Sequence, residues 1–208
     1  KLAAKAIKDA DTTCRVLGGG CSGIPLDYLE VCFRNGLLDY VDAISVHPYG
    51  TFPPENIVEE VAELRALMRR YSPVADDIAV INSEWGGATD VDTGEGGVIR
   101  SNMLIRTWLS CNYAGMPVSS WYILEAWEFG LLAYDDRYPD HPKGTPTHSY
   151  YAAKTCLNTL KDFVVHRRID MGDDNIWVLE LLKGRKAAYA MWKIDATPLA
   201  IDSMLEVA

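Results

Sequence analysis

Short apolar runs alternate with longer amphipathic ones along most of this chain. Residues 14–18, 41–46, 78–83 and 118–124 are brief, rich in β-branched or aromatic side chains, and bounded by Gly, Pro, Asn or Asp. That pattern predicts buried parallel strands, which are covered on both faces and so lose the usual apolar–polar alternation. Between them the period lengthens. Over residues 55–71, Ile57, Val61, Leu64, Leu67, Met68 and Tyr71 recur at helical spacing on one face. Pro53 and Pro54 open that helix, and Pro73 closes it. A second helix is expected over 98–114, ended by Gly115 and Pro117, and a third over 148–162. Residues 2–10 form another amphipathic run that reads as a helix entered partway along. With Lys1 in place of an initiator Met, the chain is expected to be truncated at its front.

Four βα units in succession imply an α/β fold with a parallel sheet. Their spacing suits either a doubly wound sheet or part of a (β/α)8 barrel, which takes roughly 250 residues when whole. Beyond about residue 163 the texture changes. Residues 164–169, 176–182 and 187–194 are strand-like, and Lys183-Gly184-Arg185 fits a hairpin turn between the last two. The expected division is a barrel part over 1–163 and an incomplete β-rich accessory segment over 164–208.

Composition narrows the function more than the fold. The 208 residues carry a formal charge of −9, with 49% hydrophobic and 24% charged positions. An acidic chain of this kind disfavours nucleic acid or an anionic membrane as partner and leaves a neutral substrate compatible. No apolar run approaches the ~18 residues of a membrane span. Cys14, Cys21, Cys32, Cys111 and Cys156 form no CxxC pair and no Cys/His metal spacing, so they are expected as small hydrophobes and no metal or other cofactor is implied. Gly18-Gly19-Gly20 lacks the helix-opening glycine of a phosphate loop and fits tight backbone at a strand end; Gly94-Glu95-Gly96-Gly97 is expected as a mobile loop. Without GxSxG or a phosphate loop, a doubly wound hydrolase or nucleotide enzyme is the weaker α/β alternative.

In a barrel, functional side chains gather where strands run out at their C-terminal ends. The second strand runs into Ser45-Val46-His47-Pro48-Tyr49, the third into Asn82-Ser83-Glu84-Trp85-Gly86, and the fourth into Trp121-Tyr122-Ile123-Leu124-Glu125. Sugar rings present apolar C–H faces that stack on aromatic planes and hydroxyls that need polar partners. A carboxylate among them can attack an anomeric carbon, and a neighbouring Tyr or His can hold it ionised and aimed. Each residue also has an ordinary explanation: His47-Pro48 as a strand terminator, Trp121 and Tyr122 as core of the barrel mouth. Glu84 is harder to dismiss, because an acid ending an apolar strand beside Trp and Gly costs free energy if left unpaired. Arg100, His141 and His148 lie within reach of the rim, but nothing in the pattern selects them.

These segments resemble glycoside hydrolase clan A, the retaining (β/α)8 glycosidases. The likeness is strongest to the β-xylosidase/α-L-iduronidase family and to cellulase-like families. Residues 41–49 are similar to the sixth barrel strand and residues 80–86 to the seventh; Trp121-Tyr122 resembles the eighth, and Pro146-Thr147-His148-Ser149-Tyr150-Tyr151-Ala152-Ala153-Lys154-Thr155 the last barrel helix. The resemblance covers about residues 1–160 and implies the C-terminal half of the barrel, strands five to eight. It implies Glu84 as catalytic nucleophile, with His47, Tyr49, Trp85, Trp121, Tyr122 and Glu125 lining the carbohydrate subsite and Trp121 as the aromatic platform beneath the sugar. An extracellular or periplasmic setting also follows from the likeness.

One departure matters. No Asn-Glu followed by Pro, the clan's acid/base signature, occurs in the chain. By the resemblance that Glu belongs to the fourth strand, which would precede Lys1, so the missing N-terminal half of the barrel is the expected partner. The alternative is a carbohydrate-binding pseudoenzyme or inactive barrel fragment. Taken alone, half a barrel has two open sheet edges and is expected to be catalytically inert.

Overall fold

The computed structural model describes residues 1–87, 94–126, 129–134 and 142–195. Two units form along the chain, Lys1–Thr159 and a second one beginning at Leu160.

In the first unit, helix α1 (Leu2–Ala10) leads into strand β1 (Leu17–Ser22), α2 (Leu26–Arg34), β2 (Ala43–His47), α3 (Ile57–Tyr71), β3 (Ala79–Trp85), α4 (Gly94–Tyr113), β4 (Ser119–Trp121) and α5 (His148–Thr159). The four strands are parallel and lie in chain order, with β1 and β4 at the edges. This is the α/β architecture that the alternating pattern predicts. On one face of the central strands Ile44, Val46 and Val80 are fully buried. They pack on Leu29 and Phe33 of α2, on Ile57, Val61, Leu64 and Met68 of α3, and on Cys111 of α4. Helix α3 also matches its own dipole, with Glu59 and Glu60 in the first turn and Arg69 and Arg70 in the last.

The first strand departs from expectation. Placed by sequence over 14–18, it runs instead from Leu17 through the glycine triplet to Ser22. The preceding residues are occupied elsewhere: Val16 N–H donates to Asp42 Oδ2 at 2.7 Å, and Lys8 Nζ donates to both Cys14 O (2.6 Å) and Asp42 (2.9 Å). These donors, the Val16 amide first, hold the Asp42 carboxyl down at about 2. Gly19 has φ +99°, and a Cβ there would meet Ser45 O at 2.6 Å. The triplet is therefore strand interior, with Gly19 in close backbone contact and a register irregularity between Gly19 and Cys21, rather than a terminator.

The fourth strand is shorter than predicted, Ser119–Trp121 in place of 118–124. Its continuation changes partner: the carbonyls of Ile123 and Leu124 accept from Leu131 and Leu132 N–H at 3.2 and 2.8 Å. The Gly94–Gly97 run, expected as a loop, has helical backbone and opens α4. Glycine costs ~1 kcal/mol per helix position, a penalty that tertiary packing of the remaining turns overrides. The last helix stops at Thr159, three residues before the predicted end.

The second unit is an antiparallel sheet of β5 (Val164–Ile169), β6 (Ile176–Lys183) and β7 (Lys186–Lys193), in that order. Gly184 (φ +60°) and Arg185 make the predicted hairpin turn, with glycine where a type II′ turn needs it. Across β6 and β7, Trp177 and Trp192 stack at 5.6 Å and 19°, with the Arg168 guanidinium 4.2 Å above Trp177. Among the described residues no helix is long and apolar enough to cross a membrane.

One buried ion pair ties the connection after β2 to α4. Glu55 accepts two 2.7 Å bonds from Arg106 Nε and Nη2, and their side chains are only 3% and 14% exposed. Removing one partner strands a charge in the interior. Arg106→Met is expected to lose about 3–5 kcal/mol in denaturant unfolding, and Glu55→Leu added to it should restore most of that. A single variant within 1 kcal/mol of the parent, taken as about the worth of a surface pair, contradicts this account.

Candidate active site

The pleat decides which side chains reach the strand ends. With Ile44 and Val46 turned to the helices, Ser45 and His47 occupy the opposite face of β2. On β3, Val80 and Asn82 face the helices, and Asn82 Nδ2 lies 3.8 Å from Cys111 Sγ and 2.9 Å from Ser119 Oγ. Ile81 and Ser83 take the other face. Strict alternation would send Glu84 to the helix side with Asn82. It is released by a register irregularity: Asn82 pairs Ser119 and Trp85 pairs Trp121, so β3 spends three steps where β4 spends two. Such an inserted residue kinks its strand and re-aims a side chain.

The Glu84 carboxylate then meets residues delivered by β2. Tyr49 Oη donates to Glu84 Oε1 at 3.0 Å, and His47 Nδ1 stands 4.0 Å from Oε2. The other imidazole nitrogen, Nε2, lies 2.9 Å from Ser83 Oγ, which is 2.5 Å from Ser45 Oγ. Both oxygens of Glu84 thus have a polar neighbour, while the side chain keeps 36% exposure. A half-exposed, oriented carboxylate of this kind can act as nucleophile or base.

Tyr49 sits on the turn after β2, and that turn is anchored twice beyond it. Thr51 Oγ1 donates to Glu60 Oε2 at 2.7 Å, and Glu55 is the residue clamped by Arg106. Burial first, then the hydrogen bond and charge of Glu84, push the Tyr49 phenol far above its ordinary range, with Tyr122 adding to the effect.

The aromatic residues form a second group. Trp85 is buried and meets Trp121 edge-on, centroids 5.1 Å apart at 69°. Trp121 Nε1–H donates to Phe129 O at 2.7 Å, which fixes the rotation of that ring. Tyr122 is half exposed and packs on Phe129 at 6.2 Å. Between these rings the chain passes through Gly86, where any Cβ would collide with the Phe129 ring and the Tyr122 carbonyl.

Glu125 departs from the group. Its backbone bridges Leu132, and its carboxylate lies 3.3 Å from Lys143 Nζ, so it ends the strand's detour rather than joining the Glu84 hydrogen bonds. Arg100 is buried between α4 and α5, donating to Ser149 Oγ (3.1 Å) and Gly130 O (3.2 Å). His148 opens α5, and His141 lies outside the described residues. Among the described residues no cluster of three or more His, Cys, Asp or Glu could hold a metal.

Ser45 and Ser83 were missed by sequence reasoning. The available signal was parity: Ser45 lies two residues before His47 on one strand, and Ser83 lies two residues after Ile81 on the next.

The fold of this chain is similar to that of two solved glycoside hydrolases. A GH39 β-xylosidase from Caulobacter crescentus matches 90% of this chain at a TM-score of 0.54 and 21% identity. A GH30 endoxylanase from Clostridium papyrosolvens C71 also matches over 90%, at 0.56 and 18%. The chain spans 41% and 44% of their respective lengths. The sequence matches no protein-family model and no curated protein.

A free tyrosine ionises near pH ~10. Tyr49 is expected to keep its proton well past that point in the folded chain. Because the folded value lies above the unfolded one, this group favours folding below pH ~10, and its contribution is lost as pH rises through the folded value. Ultraviolet difference titration of the parent against Tyr49→Phe should show no tyrosinate from Tyr49 in the ordinary range. In Glu84→Gln its ionisation should move back down. An ordinary tyrosine titration at this position in the parent contradicts the contact.

Proposed function

We propose that this chain is the C-terminal half of a retaining glycoside hydrolase barrel, strands five to eight, with Glu84 as nucleophile. The observation that carries the proposal is the Glu84 carboxylate at the end of a parallel strand, bonded at one oxygen by Tyr49 and flanked at the other by His47. The likeness to two glycoside hydrolase structures supports it. Both are named for xylan chemistry, which puts xylosides first among the sugars to test.

The chemistry is a double displacement. A Glu84 oxygen forms a bond to the anomeric carbon while the bond to the leaving oxygen breaks. That oxygen takes a proton from a second carboxylic acid, which the resemblance places on the fourth strand, outside this chain. Water then attacks the glycosyl ester, gives its proton to the same second carboxylate, and frees Glu84. Two carboxyls about 5–5.5 Å apart are needed for this path.

Tyr49 contributes before attack. Its phenol, held protonated, keeps one oxygen of the Glu84 carboxylate in place. Trp121, fixed by its bond to Phe129 and its edge contact with Trp85, supplies a plane for the apolar face of a sugar.

The test uses the full-length protein and a slow 2-fluoro xyloside. The expected result is a stable adduct on Glu84 in peptide mass mapping, and a loss of about 10^4-fold or more in kcat for Glu84→Gln. An adduct on another residue, or turnover surviving Glu84→Gln, overturns the assignment. Sugar binding with no turnover in the parent would identify a binding module instead.

A further inference from the structure

We infer that the Ser45–Ser83 hydroxyl pair is a positioning device that sets the tautomer of His47, presenting its Nδ1–H to Glu84. The inference rests on the geometry of the strand ends and deepens the proposed role of Glu84, but its core can be tested without any turnover.

The chain of contacts has a direction that can be worked out. Ser45 Oγ, Ser83 Oγ and His47 Nε2 stand in a row at 2.5 and 2.9 Å, and His47 Nδ1 faces Glu84 Oε2 at 4.0 Å. A neutral imidazole carries one N–H, so two arrangements exist. In the first, Nε2–H donates to Ser83 and leaves the bare Nδ1 lone pair facing a carboxylate oxygen. In the second, Ser45 donates to Ser83, Ser83 donates to Nε2, and Nδ1–H faces Glu84. The carboxylate decides between them. Its negative charge repels a lone pair and attracts an N–H dipole, and in the partly buried strand-end environment that difference is larger than in water. Ser45 is buried at 6% exposure, so its hydroxyl has little water to bond instead.

The groups around His47 support this orientation. Glu84 is the ionisable group on the Nδ1 side, and Tyr49, on the turn after β2, spends its proton on the other Glu84 oxygen. Glu84 then has a direct hydrogen bond at Oε1 and, at Oε2, an N–H that faces it from 4.0 Å without bonding. The looser contact leaves Oε2 the less encumbered of the two. Unlike Tyr49, the two serines bond to each other and to His47 rather than to the carboxylate. They act through His47 alone.

The parities of β2 and β3 explain why two serines occupy these positions. Ser45 and Ser83 meet across β2 and β3 on the face turned away from the helices, with their hydroxyl oxygens 2.5 Å apart. Apolar substitutes of similar size would fill the space but leave Nε2 without its donor.

The decisive measurement is imidazole-nitrogen NMR of the full-length protein, with His47 assigned by loss of its signals in His47→Gln. The expected result is a neutral His47 protonated at Nδ1 and bare at Nε2, the reverse of the tautomer that free imidazole side chains prefer. Ser83→Ala should shift His47 toward Nε2–H, and Ser83→Thr, which keeps the hydroxyl, should restore the parent pattern. A parent His47 protonated at Nε2 overturns the inference outright, whether or not any variant folds. So does an unchanged tautomer in a folded Ser83→Ala. If xyloside turnover is found, Ser83→Ala should lower kcat about 10-fold or more with KM little changed, and Thr should rescue it. A fluorosugar adduct that misses Glu84 would overturn the proposed nucleophile while leaving the tautomer result standing.

Discussion

The two-residue pleat of β2 and β3 is the constraint from which the rest follows. Each central strand has to satisfy two demands at once. Ile44, Val46 and Val80 must fill the space beneath three helices, each worth about 1.5–3 kcal/mol when fully buried. The intervening positions are then committed to the opposite face, whatever their chemistry. Ser45, His47 and Ser83 share a face because their neighbours are needed in the core. The polar cluster is a by-product of apolar packing as much as a construction of its own.

Among the described residues, the buried charges Glu55 and Arg100 both sit at joints between elements. The Glu55–Arg106 pair fastens the connection that carries Tyr49 onto α4. Arg100 fastens the segment around Gly130 onto α5, and that segment in turn holds the Trp121 indole through Phe129. Two of the three strand ends therefore have their loops pinned by a buried arginine from one helix. The pinned loops are those that bring Tyr49 and the aromatic group to the rim.

Much of this was legible in the sequence because strand ends are conspicuous. That His47, Tyr49 and Glu84 meet could be read from the rule that parallel strands deliver their last residues to one rim. The alternation of short apolar and long amphipathic runs gave the α/β order of the first unit, and the glycine turn gave the hairpin of the second. What escaped had physical reasons. The glycine triplet looked like punctuation because glycine usually is, yet Gly19 serves a close strand approach. Gly94–Gly97 looked like a loop because local propensity cannot see the tertiary packing that sustains α4. Glu125 was placed at a strand end that is not one, since the chain changes partner two residues earlier, at Ile123. Ser45 and Ser83 carried no signal of their own: serine is common, and only its register against the next strand makes it part of a chain.

The inserted step in β3 has a consequence for how this sequence can drift. Substitutions near Glu84 alter sizes and charges by degrees, but the count of residues between Asn82 and Trp85 is a whole number with no intermediate values. Losing one would restore ordinary pairing with β4 and leave a single position between Asn82 and Trp85, so that Ser83 and Glu84 could no longer both face away from the helices. Gaining one would hand its place to a neighbour. Over evolutionary time the spacing in this short stretch should therefore be held more firmly than most of the side chains within it, and length there would be a sharper marker of kinship than identity.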